Sequence, residues 1–410
     1  MVTFDSILSS LSFNINSYGL ALIIFTICLF VLIFYINRPI NIIRDANCDN
    51  IANLKPIYSY PNGWIGVCES IYLKDREIKR VDFCGHRIIL LRLSSSNRKP
   101  YALDAYCPHL GADLSVGGKI VKNCETDCIR CPFHGWSFKV TDGQCVDVPY
   151  TKDRKPPNGV AIKTWECLEL NGFIYVWHHN EGLKPTWVPE EIKEITVNKY
   201  KYMGRTEHIV NCLIQEIPEN GPDFAHLNEV HAPSVFAGGK VQTKHNFVTD
   251  SLIHRWESFW RKGENDESHK SFLKLKTMFY LLGYKVLVVK FDKLEQVGPA
   301  IVNLHFKFSA FGLKLEGCYI QNIVPISIHK QKIIHHLYMK PSLISPIFAQ
   351  FLLRSEDIML LRDIEIWSNK IYLTNPKLVK EEAQIQSFRR WYSQFFSKQS
   401  GPTIKFEDQW

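Results

Sequence analysis

Two short cysteine-histidine pairs constrain the fold of this chain more than any other feature. One pair is Cys107 and His109 in the segment CPHLGA, and the other is Cys131 and His134 in CPFHGWSF. Thiolates and neutral imidazoles at such spacing are ligands for a metal. Two loops, separated in the sequence, therefore have to meet at one point of the folded domain.

Two kinds of metal centre accept two thiolates and two imidazoles. A structural zinc ion is one, and the Cys128-x-x-Cys131 spacing adds to that alternative. The other is a [2Fe-2S] cluster in which thiolates hold one iron and imidazoles hold the other. Such ligation raises the reduction potential of the cluster. With their prolines, glycines and Trp136, both segments resemble the Rieske family. The resemblance implies that Cys107, His109, Cys131 and His134 bind a [2Fe-2S] cluster.

One stretch departs from the Rieske pattern. The segment between His109 and Cys131 is longer than is usual in the family, and it contains Cys124 and Cys128. We assign neither cysteine as a ligand. In a reducing compartment, each is expected to be a solvent-facing or packed thiol rather than half of a disulfide.

The region around these pairs has the pattern of a small antiparallel β domain. Short apolar runs alternate with turn residues over residues 63–180, and Thr141-Asp142-Gly143 is typical of a hairpin turn. We expect residues 37–62 to be a linker. Residues 199–396 are predicted to form a second, α+β domain with an antiparallel sheet and helices.

A second metal-binding pattern, Asp-x-x-His-x4-His, comprises Asp223, His226 and His231. On a helix, His226 and His231 diverge by about 140°, so both reach one metal only if the helix bends or ends between them. Two imidazoles and a carboxylate on one face of Fe(II) leave positions open for dioxygen. A solvated helix face is the ordinary alternative.

Oxygenases of the Rieske class carry this same pattern. By that resemblance His226 and His231 bind a mononuclear Fe(II), and Asp223 couples this iron to the cluster. In the family the coupling usually crosses between subunits, which implies a homo-oligomer, commonly a trimer. The other histidines that we considered are expected to be structural or at the surface: His178, His179, His208, His335 and His336.

The third iron ligand is expected far along the chain. The segment LLRDIEIW resembles the late segment of bacterial 3-ketosteroid 9-alpha-hydroxylase oxygenase components, and this likeness implies that Asp363 completes the site. Glu356, Asp357 and Glu365 remain alternatives, because acids on a helix usually face water. Aromatic residues such as Phe279, Tyr280, Phe308 and Phe311 could line a substrate pocket, although most aromatic residues belong to the core.

The 19 residues from Tyr18 to Ile36 are uncharged and nearly all apolar, as in a transmembrane helix. A signal peptide is the alternative, but no basic residue precedes the segment, and bulky Phe34, Tyr35 and Ile36 stand where a cleavage site has small residues. Arg38, Arg44 and Lys55 then place the following domains on the cytosolic side, so we expect a single-pass protein of the endoplasmic reticulum. The net charge of +8 includes no dense basic run, so nucleic-acid binding is not expected.

Nearly the whole chain resembles the animal Neverland-type cholesterol 7-desaturases. This likeness implies conversion of cholesterol to 7-dehydrocholesterol with dioxygen, in steroid hormone synthesis. Electrons would come from NAD(P)H through a ferredoxin and a separate reductase, since the sequence has no Gly-rich dinucleotide motif. Three alternatives remain: a hydroxylase of another sterol or hydrophobic ring, a membrane-anchored electron carrier, and a zinc-stabilised lipid-binding protein.

Overall fold

The computed structural model describes residues 38–45, 59–93, 99–123, 126–241, 251–310, 313–373 and 375–397, with Thr26 and Phe247. Among these residues, no helix is long and apolar enough to cross a membrane. The expected span at residues 18–36 lies outside the described residues, apart from Thr26. Cys124 and Phe311 also lie outside them.

The first domain contains short strands that bring the two Cys-His loops to one end. Its strands are β2 Gly63–Glu69, β3 Ile78–Phe83, β4 His86–Arg92, β5 Pro100–Asp104, β6 Lys119–Asn123, β7 Thr126–Arg130, β8 Ser137–Lys139, β9 Cys145–Asp147, β10 Thr164–Trp165, β11 Cys167–Leu170 and β12 Phe173–His178. They form three sheets, in the orders β10-β5-β4-β3, β11-β12-β2 and β6-β7-β8-β9. The expected all-β domain is thus present.

The insertion between His109 and Cys131 contains the β6–β7 hairpin. The predicted turn at Thr141-Asp142-Gly143 joins the antiparallel strands β8 and β9. Gly143 has φ +75°, and a Cβ atom there would lie 1.9 Å from the carbonyl oxygen of Ile162. Glycine is therefore required where this turn meets its neighbour.

The second domain is dominated by one eight-stranded sheet. Its strands, apart from the first, are β13 Lys201–Val210, β14 Leu252–Lys262, β15 Lys270–Leu281, β16 Tyr284–Val297, β17 Ile301–Ala310, β18 Leu313–Ser327 and β19 Lys330–Met339. They lie in the order β13-β19-β18-β17-β16-β15-β14, all antiparallel. The described helices are α1 Lys193–Thr196, α2 Glu216–Glu219, α3 Phe224–Glu229, α4 Ser345–Trp367 and α5 Ala383–Tyr392.

The first strand of this sheet, β1 Ile40–Asp45, falls in the segment expected to be a linker. It pairs in parallel with β13, from Ile40 beside Gly204 to Asp45 beside Ile209. Gly204 has φ +138°, and a Cβ atom there would clash with the backbone of Ile40. A glycine at position 204 therefore lets this strand approach β13. The polar composition of the expected linker did not predict a strand there.

Helix α4 lies against the sheet and is the longest described helix, with Pro346 in its first turn, where proline costs no hydrogen bond. It contacts β13 and β19 and buries Leu353 and Ile364 among other residues. An ion pair and a hydrogen bond join the two domains, because Glu69 on β2 is buried against the guanidinium of Arg205 on β13 and the imidazole of His336 on β19. A shared apolar core containing Ile65, Val210 and other residues continues across that boundary.

Candidate iron centres and the adjoining cavity

The two Cys-His loops have matching backbone geometry. In the first, the amide of Gly111 donates to the carbonyl of Cys107 at 2.9 Å, and in the second, Gly135 donates to Cys131 at 3.1 Å. Both glycines have positive φ, +73° and +76°, which residues with a side chain rarely adopt. Each loop therefore turns tightly just after its cysteine and presents its histidine beside it.

The four predicted cluster ligands come together where these loops meet. The rings of His109 and His134 lie with centroids 4.8 Å apart, and Cys107 and Cys131 are buried free thiols. Burial raises the pKa of the Cys107 thiol to about 11, and the nearby Cys131 adds to this rise. His134 Nδ1 is buried without a hydrogen-bond partner among the described residues. Paired thiols and an orphaned imidazole nitrogen fit a [2Fe-2S] centre of this ligand type.

Neighbouring aromatic residues hold the imidazoles in place. Trp136 stacks on His109 with 4.4 Å between centroids and an 8° angle between planes. The indole of Trp136 donates to the hydroxyl of Tyr150 at 3.0 Å. Cys128 is fully buried in β7 with its Sγ 3.6 Å from the carbonyl of Thr126, so this thiol is packed.

A second cluster joins residues from distant parts of the chain. His226, His231 and Asp363 each offer a ligand atom, and these atoms all lie within 4.8 Å of one another. His231 Nε2 is 3.1 Å from Asp363 Oδ1, and His231 Nδ1 is buried with no hydrogen-bond partner in the described structure. Helix α3 ends at Glu229, between the two histidines, as the spacing required. This donor set fits Fe(II).

Asp223 forms the N-cap of α3. Its carboxylate accepts a hydrogen bond from the His226 amide at 3.1 Å, and its carbonyl accepts one from His226 Nδ1. This arrangement leaves His226 Nε2 for a metal. Burial opposes ionisation of Asp223, but the hydrogen bonds and charge of His226 outweigh it and lower the pKa of the carboxyl. Asp223 lies beside the cluster of His226, His231 and Asp363 and is not one of its three members.

Arg362 was missed by the sequence analysis, although it precedes Asp363 in an apolar stretch. Its side chain is 1% exposed and donates to four backbone carbonyls of the segment that follows α3. These acceptors, at 2.8–3.2 Å, belong to Val230, Pro233, Ser234 and Gly238. The loop that holds His231 is thereby fixed to the helix that holds Asp363.

The three alternative acids occupy other environments. Asp357 accepts hydrogen bonds from Arg44 and from His208 Nε2 at 2.9 Å. Glu365 accepts one from the amide of Val241 at 2.8 Å. Glu356 Oε1 lies 3.1 Å from His335 Nδ1. None of the three acids therefore belongs to the His226 and His231 cluster.

A cavity of about 640 Å³ opens beside this cluster, between α4 and one face of the large sheet. Its wall includes His226, His231 and Asp363, and it is otherwise largely apolar. On α4 the lining runs from Phe348 to Asp363, about 22 Å along the helix axis. The volume is ordinary for a small-molecule site. The largely apolar lining suits a hydrophobic molecule.

The aromatic expectations for this cavity have mixed outcomes. Phe279 and Phe308 line it, and Tyr280 does not. His335, expected to be structural or at the surface, also lines it, because β19 turns this ring toward α4. The remaining histidines of that group have polar partners, as when the imidazole of His178 bonds the carbonyl of Pro61 at 2.9 Å.

Two protein families match the chain over these domains. The Rieske [2Fe-2S] domain matches residues 63–166, and the 3-ketosteroid 9alpha-hydroxylase C-terminal domain matches residues 176–396. The Xenopus laevis cholesterol 7-desaturase nvd is 40% identical over 359 residues, 87% of this chain and 76% of that protein. The oxygenase component of Rhodococcus rhodochrous 3-ketosteroid-9-alpha-monooxygenase is 26% identical, over 82% of this chain and 83% of that protein.

Among solved structures, the Pseudomonas putida CBB5 NdmA QL mutant with theobromine has a similar fold. Its TM-score is 0.59 with 16% identity, over 80% of this chain and 88% of that one. A Rieske domain followed by this catalytic domain defines an oxidoreductase of the Rieske oxygenase class, which uses a [2Fe-2S] cluster and a mononuclear iron. Within that class, the chain belongs to the cholesterol 7-desaturase family.

Proposed function

We propose that this protein is a cholesterol 7-desaturase, which introduces the C7–C8 double bond of cholesterol and forms 7-dehydrocholesterol, a step in steroid hormone synthesis. The substrate loses two hydrogens, and dioxygen is reduced to two waters with two further electrons and two protons. The observation that carries the proposal is the apolar cavity whose wall contains His226, His231 and Asp363. The identity of the substrate, a sterol, is inferred from membership of the cholesterol 7-desaturase family.

In this proposal the metal groups are held by the residues already described. Cys107, His109, Cys131 and His134 would hold the cluster, and the three residues in the cavity wall would hold the mononuclear iron. When bound, the cluster supplies electrons and the mononuclear iron activates dioxygen. We propose domain limits of 63–180 for the Rieske domain and 199–396 for the catalytic domain.

The protein's own part is to position the sterol and to exclude water. An unreactive C–H bond has to be held close to the iron, because proximity and orientation supply much of the rate. The cavity wall provides this through side chains such as Phe279, Phe308 and Leu304, which leave little polar surface for water. Asp223 would couple the two metal centres, supported by its hydrogen bonds to His226.

The electron donor in this proposal is a ferredoxin with a separate NAD(P)H-dependent reductase. We also propose a homotrimer in which the cluster of one subunit serves the iron of the next. Apolar side chains around the Cys-His loops support a docking surface there, since Leu110 is 66% exposed and Phe133 is 63% exposed. A membrane span at residues 18–36 and residence in the endoplasmic reticulum, with the domains on the cytosolic side, complete the proposal.

The test is reconstitution of the purified, iron-loaded protein with ferredoxin, reductase, NAD(P)H and cholesterol, followed by mass spectrometry of the sterols. Loss of two hydrogens, with 7-dehydrocholesterol as the product, is the expected result. Gain of one oxygen instead would make the protein a sterol hydroxylase. No change in any sterol, with a fully reduced cluster and dioxygen present, would overturn the proposal.

A further inference from the structure

A group of polar side chains interrupts the apolar wall of the cavity. We call it the Glu356 cluster, and it comprises Thr206 on β13, Tyr319 and Gln321 on β18, His335 on β19 and Glu356 on α4. His335 pairs across the strands with both Thr206 and Gln321, so these side chains share one face of the sheet. Four of the five line the cavity, Thr206 being the exception. None of the five belongs to the group of His226, His231 and Asp363.

Hydrogen bonds organise this group. Thr206 donates to Glu356 Oε2 at 2.6 Å, and His335 Nε2 lies 2.9 Å from Gln321 Oε1. Since the amide oxygen only accepts, Nε2 donates, and Nδ1 keeps its lone pair toward Glu356 Oε1. Burial lowers the pKa of His335 to about 3 and raises the pKa of Glu356 to about 8. Glu356 Oε1 has no hydrogen-bond partner among the described residues, and Oε2, which accepts from Thr206, keeps a second lone pair. A neutral Glu356 carboxyl can therefore donate one hydrogen bond to a bound hydroxyl and accept another from it.

Tyr319 is the member of the Glu356 cluster whose hydroxyl lacks a hydrogen bond. Its hydroxyl is buried and has no hydrogen-bond partner among the described residues. An unpaired buried hydroxyl costs stability unless a ligand or water satisfies it. Burial is the main cause that raises the pKa of Tyr319, and the nearby Glu356 adds to the rise once it ionises at higher pH, so the hydroxyl keeps its proton near neutral pH. Tyr319 can donate one hydrogen bond and accept another, which matches a hydroxyl group.

The position of Glu356 fits a sterol whose ring system reaches the iron site. Glu356 and Asp363 are seven residues apart on α4, nearly two helical turns, so both face the cavity with about 10 Å of rise between them. In a sterol, ring A bears the hydroxyl and the adjoining ring B bears C7. A short separation between a hydroxyl site and the iron site is therefore what oxidation at ring B requires.

We infer that Tyr319 and Glu356 form the subsite that binds the ring-A hydroxyl of the sterol, with Thr206, Gln321 and His335 holding Glu356 in place. The inference rests on the proposed function for the identity of the ligand. Binding the hydroxyl fixes the sterol along the cavity and thereby selects the carbon presented to the iron. These residues are specificity-determining and take no part in the oxidation itself.

The experiment is equilibrium binding of radiolabelled cholesterol to the purified, iron-loaded protein, with cholest-5-ene, which lacks the hydroxyl, as a competitor. Wild type should bind cholesterol more tightly than cholest-5-ene. Tyr319→Phe removes one oxygen atom and should weaken cholesterol binding roughly 10- to 100-fold, while cholest-5-ene binding changes less than about threefold. Glu356→Leu should also remove the preference, whereas Glu356→Gln, which preserves both bonds of a neutral carboxyl, should retain it.

Thr277→Val is the matched control, because Thr277 is another cavity-lining hydroxyl that is buried and has no partner in the described structure. It should leave the ratio of cholesterol to cholest-5-ene binding unchanged. A wild-type ratio in Tyr319→Phe, or loss of the ratio in Thr277→Val alone, would overturn the subsite. If wild type converts no sterol but its hydroxyl preference depends on Tyr319, the proposed function fails and the subsite stands.

Discussion

His231 Nε2 lies 3.1 Å from Asp363 Oδ1, although one residue follows a short helix and the other is near the end of the longest described helix. If this pair holds the mononuclear iron, Asp363→Ala should lower the metal content from about three irons per chain to about two. Metal analysis and the visible spectrum of the cluster measure both centres in one sample.

Glu365→Gln is the control for that experiment, since Glu365 is on the same helix and its carboxylate accepts a bond from Val241 instead. This variant should keep all its iron. Full iron content in Asp363→Ala would contradict the assignment.

The Cys-His loops predict a contrast between two cysteines close in sequence. Cys131→Ser should lose the cluster spectrum and keep the mononuclear iron, because serine is a poor substitute for a thiolate ligand. Cys128→Ser should keep the spectrum, since the Cys128 thiol packs inside β7. Electron paramagnetic resonance of the reduced proteins distinguishes the two outcomes. A zinc-containing, colourless wild type would disprove both expectations.

Arg362 is expected to be essential for the geometry of the iron site. Arg362→Met leaves up to four backbone carbonyls without a donor, which should lower the free energy of unfolding by about 3 kcal/mol or more. Denaturant unfolding measures that loss, and mononuclear iron should fall with it. Arg354→Gln, an exposed arginine on the same helix, should have little effect. Equal stability of the two variants would rule out this role.

Asp223→Asn should separate the folding role of this residue from its coupling role. Asparagine is as good an N-cap as aspartate, so helix α3 and both metal contents should be retained. Product formation should nonetheless fall by roughly tenfold or more, as is common when a group bonded to a metal ligand is changed. Turnover measured alongside metal content makes the comparison, and unchanged turnover would exclude the coupling role.

His178 predicts a pH dependence of stability. Burial lowers the pKa of His178 to about 4 in the folded protein, against 6.5 for an ordinary histidine, so the unfolded chain takes up the proton first. Its contribution is complete above pH 6.5 and is lost as the pH falls toward 4, by roughly 3 kcal/mol. Urea unfolding across this range should show a shallower decline for His178→Gln. Parallel curves would refute the prediction.

Much of the candidate site was predictable because its residues lie in short motifs with fixed chemistry. The two Cys-His pairs and the Asp-x-x-His-x4-His pattern each lie within a dozen or so residues, and LLRDIEIW identified Asp363 by resemblance. The β domain was predictable for a similar reason, since alternating apolar runs and turn residues are local signals.

What the sequence did not predict depends on contacts between distant segments. Strand β1 can pair with β13 at the edge of the sheet because Gly204 has no side chain to obstruct it. The sequence of residues 40–45 contains no signal for that pairing. Arg362 and His335 were overlooked for the same reason: an arginine among leucines, or a histidine in a strand, acquires its role only from residues that the fold brings near.

The seven-residue interval between Glu356 and Asp363 on one continuous helix determines which carbon of the bound ligand lies at the iron. A helix cannot lengthen by a fraction of a turn without rotating its side chains away from the cavity. The distance from the anchored end of the ligand to the oxidising metal can therefore change only by about one helical turn at a time. Enzymes of this architecture would change the carbon they attack by relocating the anchor to another turn, leaving the metal ligands untouched.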